Sequence, residues 1–272
     1  MRLLSLATIV MGIALSLGVL VPLVGAIPLK GAPLQLLRAL ERREPPSALP
    51  EKATDDQKKF QPIMDFDQDG CYNTPAIDSN NKTAGGLRHD FTGGEAACRD
   101  ASDLLNNNVY VRTRCNGGWC GHVYDYYFEK DVAVQHFFDV GGHRHEWEHI
   151  VVFVKNDVAE VVAVSQHGDY DTWLASDATF QDGTHPMVVY HKEGGSTHAF
   201  RMADRDDWWA ENHSSAWYLG PLIDYDTGFP DGVRDVLVNH DFGRATMAIK
   251  DGEFKKNLDY ARNNLVEGFD SG

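Results

Sequence analysis

His149-Ile150-Val151-Val152-Phe153-Val154-Lys155-Asn156-Asp157-Val158-Ala159-Glu160-Val161-Val162-Ala163-Val164-Ser165 is the stretch that decides the fold. Two runs rich in β-branched residues flank Asn156-Asp157, a pair that tolerates a tight turn, so the stretch predicts two paired strands. The same signature recurs outward from it. Residues 108–113 alternate around Val109 and Val111, and 122–129 alternate around three tyrosines and Phe128. Further short strands are expected at 187–191, 197–201 and 244–249. Helical spacing appears twice, in Val233, Val236 and Leu237 after Pro230, and in Phe254, Leu258, Ala261 and Leu265. There is no internal repeat. Short strands separated by turn residues, with few helices, predict a mostly β chain: a β-sandwich with a few peripheral helices.

Residues 1–26 read as a secretory signal. Arg2 supplies the positive start, residues 3–24 carry no charge, and Val24-Gly25-Ala26 offers the small residues of a cleavage site after Ala26. A membrane anchor competes with this reading, because the apolar run is long enough to span a bilayer. Residues 27–62 are expected to be a poorly ordered leader or linker. Leu34, Leu37 and Leu40 are followed by Arg42-Arg43-Glu44-Pro45-Pro46 and then a polar stretch. Arg42-Arg43 is either a processing pair or plain solvated charge. Residues 63–272 are expected to form the domain. The net charge is −15, and loss of Arg2 with the signal makes the mature chain one unit more negative. Such a charge disfavours nucleic acid and anionic lipid as direct partners. In a secreted chain the four cysteines predict two disulfides. Three pairings are open. Cys71–Cys98 with Cys115–Cys120 is favoured, since Gly117 and Gly118 let the short loop close. Asn81-Lys82-Thr83 and Asn212-His213-Ser214 are glycosylation acceptors in a eukaryotic source.

Gly142-His143-Arg144-His145-Glu146-Trp147-Glu148 holds the densest set of ligand side chains. His145-Glu146-Trp147-Glu148-His149 fits the H-E-x-x-H pattern of zinc proteases, which requires a helix. The strand-like run that follows argues against one, and strand residues four apart lie about 13 Å from each other. A hard-cation site is the better reading, with oxygens from Glu146 and Glu148 and a nitrogen from His143 suiting Mg²⁺ or Ca²⁺. On an ideal strand the two glutamates share a face that His143 opposes. A bend is therefore needed, and Gly141-Gly142 is the expected place for it. Upstream, Asp65-Phe66-Asp67-Gln68-Asp69-Gly70 has the D-x-D-x-D-G spacing of a calcium loop, with Ala76 where an EF-hand glutamate would stand. Trp208, Trp209 and Trp217 are candidates to face sugar or lipid, or to serve as core and surface anchors.

The heptapeptide resembles that of the necrosis- and ethylene-inducing peptide-like (NLP) family, usually Gly-His-Arg-His-Asp-Trp-Glu, with Glu146 in place of Asp. The resemblance continues in Val123-Tyr124-Asp125-Tyr126-Tyr127-Phe128-Glu129-Lys130-Asp131, Gln166-His167-Gly168-Asp169-Tyr170, Pro186-Met187-Val188-Val189-Tyr190-His191, Ser196-Thr197-His198 and Phe242-Gly243-Arg244-Ala245. It implies a secreted cytolysin with a sandwich like those of actinoporins and fungal lectins. Its target would be the glycosylated inositol phosphoryl ceramide sphingolipids of the plant plasma membrane, and it would act as a monomer without covalent chemistry. It also implies a divalent cation held by Asp131, His143, Glu146 and Glu148, with His198 on the glycan-binding side. The extra cysteine pair and the aspartate loop look like the type II subgroup. Two departures stand out. One is Glu146, and the other is the longer run between Asp131 and Gly142, which includes His136, Phe137 and Phe138. Membership does not imply toxicity in every member. A non-lytic, calcium-dependent glycan-binding or adhesion module is the alternative.

Overall fold

The computed structural model describes residues 44–87, 97–131, 142–193 and 197–272. The expected signal segment, the Arg42-Arg43 pair and the run with His136, Phe137 and Phe138 lie outside the described residues. The deciding stretch forms β4 (His143–Lys155) and β5 (Val158–Gln166), paired antiparallel with Lys155 opposite Val158. Asn156 and Asp157 turn the hairpin with φ of 51° and 65°, the left-handed region these two residues tolerate best among non-glycines.

Among the described residues the larger sheet has six strands. β2 (Val109–Asn116) and β3 (Trp119–Asp131) form a second hairpin. β6 (Asp169–Leu174) and β10 (Leu222–Asp224) are the edges, in the order β10-β2-β3-β4-β5-β6. The smaller sheet is built on β8 (His185–Lys192), with β1 (Ile63–Phe66) parallel to it and β7 (Phe180–Gln181) and β9 (His198–Met202) antiparallel. The expected sandwich is present. Its inner layer packs Tyr124, Tyr126, Phe128, Ile150, Val152 and Val164 of the larger sheet against Val188, Tyr190 and Phe200 of the smaller.

The outer face of the larger sheet is buried too. Val123, Tyr127, Val151, Phe153 and Val161 pack beneath α3 (Val233–Val238) and α4 (Phe254–Arg262). Burial on both faces is why 150–154 reads as an unbroken apolar run instead of alternating. Both expected helices form, α3 burying Val233 and Leu237 and α4 burying Phe254, Leu258 and Ala261. Val236 and Leu265 stay largely exposed.

Three expectations change. Residues 244–249 are not a strand. Met247, Ala248 and Ile249 are buried on the outer face, but the Ile249 N–H donates to the Asp125 carboxylate at 3.2 Å and its carbonyl accepts from Arg112 at 2.9 Å. Side chains thus satisfy backbone groups that a ladder would otherwise pair. Residues 44–62, expected to be poorly ordered, are packed onto the sandwich. Leu49 is buried, its N–H and C=O held by the Asn108 amide at 2.8 and 3.0 Å. A short helix, α1 (Asp55–Lys59), is closed by a capping box between Thr54 and Gln57. Asn212 is buried, with its amide nitrogen on the Ala216 carbonyl at 2.8 Å, so this sequon offers no free nitrogen to a glycan, whereas Asn81 is exposed. A second short helix, α2 (Ala101–Leu105), follows Cys98. The disulfides are Cys71–Cys98 and Cys115–Cys120, the favoured pairing. Among the described residues no helix is long and apolar enough to cross a membrane.

Candidate cation site

β3 and β4 run on together beyond the apolar core, and the heptapeptide lies within β4 where they end. Tyr126 pairs with Glu148, Phe128 with Glu146, Lys130 with Arg144 and Asp131 with His143. The helix that a zinc-protease motif requires is therefore absent at His145 and His149.

The bend sits at His145, with φ of 63°, inside the heptapeptide. A left-handed histidine is unfavourable and persists only where its surroundings fix it. His145 is buried, its Nδ1 lies 2.7 Å from the Tyr127 hydroxyl, and its ring meets Phe242 edge-on at 5.3 Å. Gly86 (φ of 60°) presses on it, so that a Cβ there would fall 2.6 Å from Arg144 and 2.7 Å from His145. The pinned bend turns His143 onto the side of Glu146, which a regular strand would forbid.

Asp131, His143 and Glu146 consequently offer ligand atoms that all lie within 4.8 Å of one another. His143 Nε2 is 3.2 Å from Glu146 Oε2 and 4.0 Å from Asp131 Oδ2. Its Nδ1 lies 2.8 Å from the His145 carbonyl and donates to it, which leaves Nε2 as the coordinating nitrogen of the neutral ring. Asp131 Oδ2 is buried without a hydrogen-bond partner. Burial, and then the charge of Asp131, pushes the Glu146 carboxyl up to about 8, against the pull of the Trp147 N–H at 2.7 Å. Burial, with Glu146 next, holds Glu148 well above the ordinary carboxylate range. A buried acid set of this kind takes up either protons or a cation. One imidazole nitrogen and two carboxylates, that of Asp131 with an orphaned oxygen, fit a divalent ion. Glu148, the fourth expected ligand, stands beside this group. Its carboxylate accepts from the Ser165 hydroxyl, which also accepts the His149 N–H at 2.9 Å.

The aspartate loop does not converge on one point. Asp65 belongs to β1, and its carboxylate accepts N–H groups of Phe66 and Glu211 at 2.8 and 3.0 Å. Asp67 lies 4.0 Å from Arg201, and burial pushes it up to about 6 against that guanidinium's pull. Asp69 is 3.3 Å from His198 Nε2, and that hydrogen bond holds its carboxyl below the usual range. Asp65 is held in β1 by pairing with β8, and the three carboxylates go to three different partners instead of to one ion.

His198 is not placed to stack on a sugar. It is 2% exposed, its ring stacks on Tyr190 at 5.1 Å, and both ring nitrogens meet carboxylates. Burial lowers its pKa, yet Asp131 and Asp69 outweigh burial and raise it to about 9. Spacing gave no signal for Ser165 or for the Asp131–His198 contact, which join residues 17 and 67 positions apart. Trp208 and Trp209 form an exposed pair, at 82% and 57%, and Trp217 is half-buried.

The sequence profile of the necrosis inducing protein (NPP1) family matches residues 54–261. The necrosis-inducing protein NPP1 of Phytophthora nicotianae is 33% identical over 223 residues, covering 77% of this chain and 84% of its own. Among solved structures, the necrosis and ethylene inducing protein 2 from the causal agent of cocoa's witches broom disease superposes with a TM-score of 0.67. It shares 27% identity over 79% of this chain and 94% of its own. NLPPya in complex with glucosamine gives a TM-score of 0.64 at 27% identity, with the same coverage.

Proposed function

The chain belongs to the necrosis inducing protein family, and from that premise we propose that it is a secreted, cytolytic necrosis-inducing effector working through a bound divalent cation. The observation that carries the reading is the convergence of Asp131, His143 and Glu146 at the end of the sandwich. An acidic protein approaches a phosphate-bearing lipid at an electrostatic disadvantage. A cation held by these three residues, Mg²⁺ or Ca²⁺, offsets it by presenting positive charge to the phosphate. The protein's residues bind and orient the ion and the head group, and membrane damage follows mechanically, with no covalent bond broken. The target is the class of glycosylated inositol phosphoryl ceramides. The glucosamine complex of a structural neighbour supports the sugar part of that recognition.

The test is dye leakage from vesicles containing plant glycosylated inositol phosphoryl ceramide, with Mg²⁺ or with chelator, beside infiltration of dicot leaves. Leakage and necrosis that chelator abolishes are expected. Cation-dependent binding to the vesicles without leakage would replace the cytolysin by the non-lytic glycan-binding module.

A further inference from the structure

Asp131 is the deepest of the three cation-site residues, and its two oxygens differ. Oδ1 accepts the backbone N–H of His198 at 3.1 Å and faces that ring's Nδ1 at 3.2 Å. Oδ2 is left for the site, 4.0 Å from His143. The His198 ring is fixed in turn, because its Nε2 meets Asp69 Oδ1 at 3.3 Å while one face stacks on Tyr190. Each nitrogen of the ring thus faces a carboxylate oxygen, Asp131 on one side and Asp69 on the other. The ring therefore links Asp69 to Asp131 in one line of hydrogen bonds.

We propose that Asp69 is a positioning residue of the cation site, acting through His198 to hold Asp131 with one oxygen free, and that the aspartate loop serves this role and binds no cation of its own. This rests on the cation reading of Asp131, His143 and Glu146. The loop is anchored for the task. Asp65 ties it to residues 211–212, with the Asn212 amide at 3.3 Å. Arg99 donates to the carbonyls of Phe66 and Gly70 at 2.7 and 2.6 Å. Cys71 locks its end to Cys98. The Asp69 side chain is 30% exposed, whereas that of His198 is only 1% exposed. Outer-shell partners of this kind typically set about 10- to 100-fold in metal affinity.

Calorimetric titration of the full secreted chain with Mg²⁺ alone and with Ca²⁺ alone tests this, alongside cation-free melting curves that report folding. The wild type is expected to bind one ion per chain. Asp69→Ala should bind the same number about 10- to 100-fold more weakly, and Asp69→Asn, which keeps an acceptor oxygen, should fall between them. Asp67→Asn removes an equal charge from the same loop without touching His198 and should stay within about twofold, well short of an outer-shell effect. If Asp69→Ala fails to fold, Asp69→Asn decides. Wild-type affinity in a folded Asp69 variant overturns the positioning role alone. So does a second calcium per chain that Asp67→Asn abolishes. A wild type that binds no ion overturns the cation reading itself, and this proposal with it.

Discussion

At the residue scale, the unusual feature is a set of acids whose protons the folded chain holds tightly. Glu146 has an ordinary value of 4.5 and sits at about 8 in the fold. The stability it contributes to the cation-free protein is therefore complete below the ordinary value and is lost as pH rises through about 8. Glu148 is shifted in the same direction, and His198, raised from 6.5 to about 9, has the same sign. His149 is lowered from 6.5 to about 4, so its contribution is lost only as pH falls below 6.5. Between pH 6.5 and 8 nothing in this group opposes the trend. The melting temperature in chelator should fall across that window. The increment given by Mg²⁺ should grow across it, because the same deprotonation creates the ligand. Melting curves at several pH values, with and without Mg²⁺, check both trends. A cation-free melting temperature that rises with pH would contradict the account.

At the scale of elements, the site is the end of the β3–β4 hairpin, bent by one residue. β3 contributes Asp131 and also Tyr127, whose hydroxyl meets His145 Nδ1 at 2.7 Å. Tyr127→Phe removes that hydroxyl while leaving the ring packed against Trp147 and Phe242. The expected loss is about 1–3 kcal/mol, the range for leaving a buried polar group without its partner. Urea unfolding reads it. A parallel fall in cation affinity is expected, because the bend at His145 brings His143 to Glu146. The contrast with β4–β5 is instructive. Asn156-Asp157 announces its turn by composition, whereas a histidine gives no sequence sign that it will adopt a left-handed backbone.

At the scale of the whole molecule, the larger sheet is covered on both faces and each disulfide closes a different piece of chain. Cys71–Cys98 spans 27 positions and joins the aspartate loop to the start of α2, while Cys115–Cys120 spans 5 and closes one hairpin. Loop-closure entropy assigns about 3.5 kcal/mol to the first and about 2 kcal/mol to the second. Paired serine replacements, compared by guanidinium unfolding, should show that order. The sequence by itself determined the strand-rich sandwich, the pairing of 149–155 with 158–165 and the two outer helices, and it favoured the disulfide pairing that the structure holds. These follow from local composition, periodicity and short loops, which act between near neighbours. It also marked His143 and Glu146, while Asp131 came from the family resemblance. Tertiary structure alone decided that Glu148 is engaged by Ser165, that the three aspartates of the loop go to separate partners, and that His198 lies beneath Asp131 with both nitrogens taken. It decided as well that residues 44–62 belong to the folded body and that 244–249 is not a strand. The physical reason is the same in each case. Which carboxylates meet depends on one backbone dihedral at His145 and on contacts between residues 67 to 147 positions apart, and neither is encoded in the spacing of a motif.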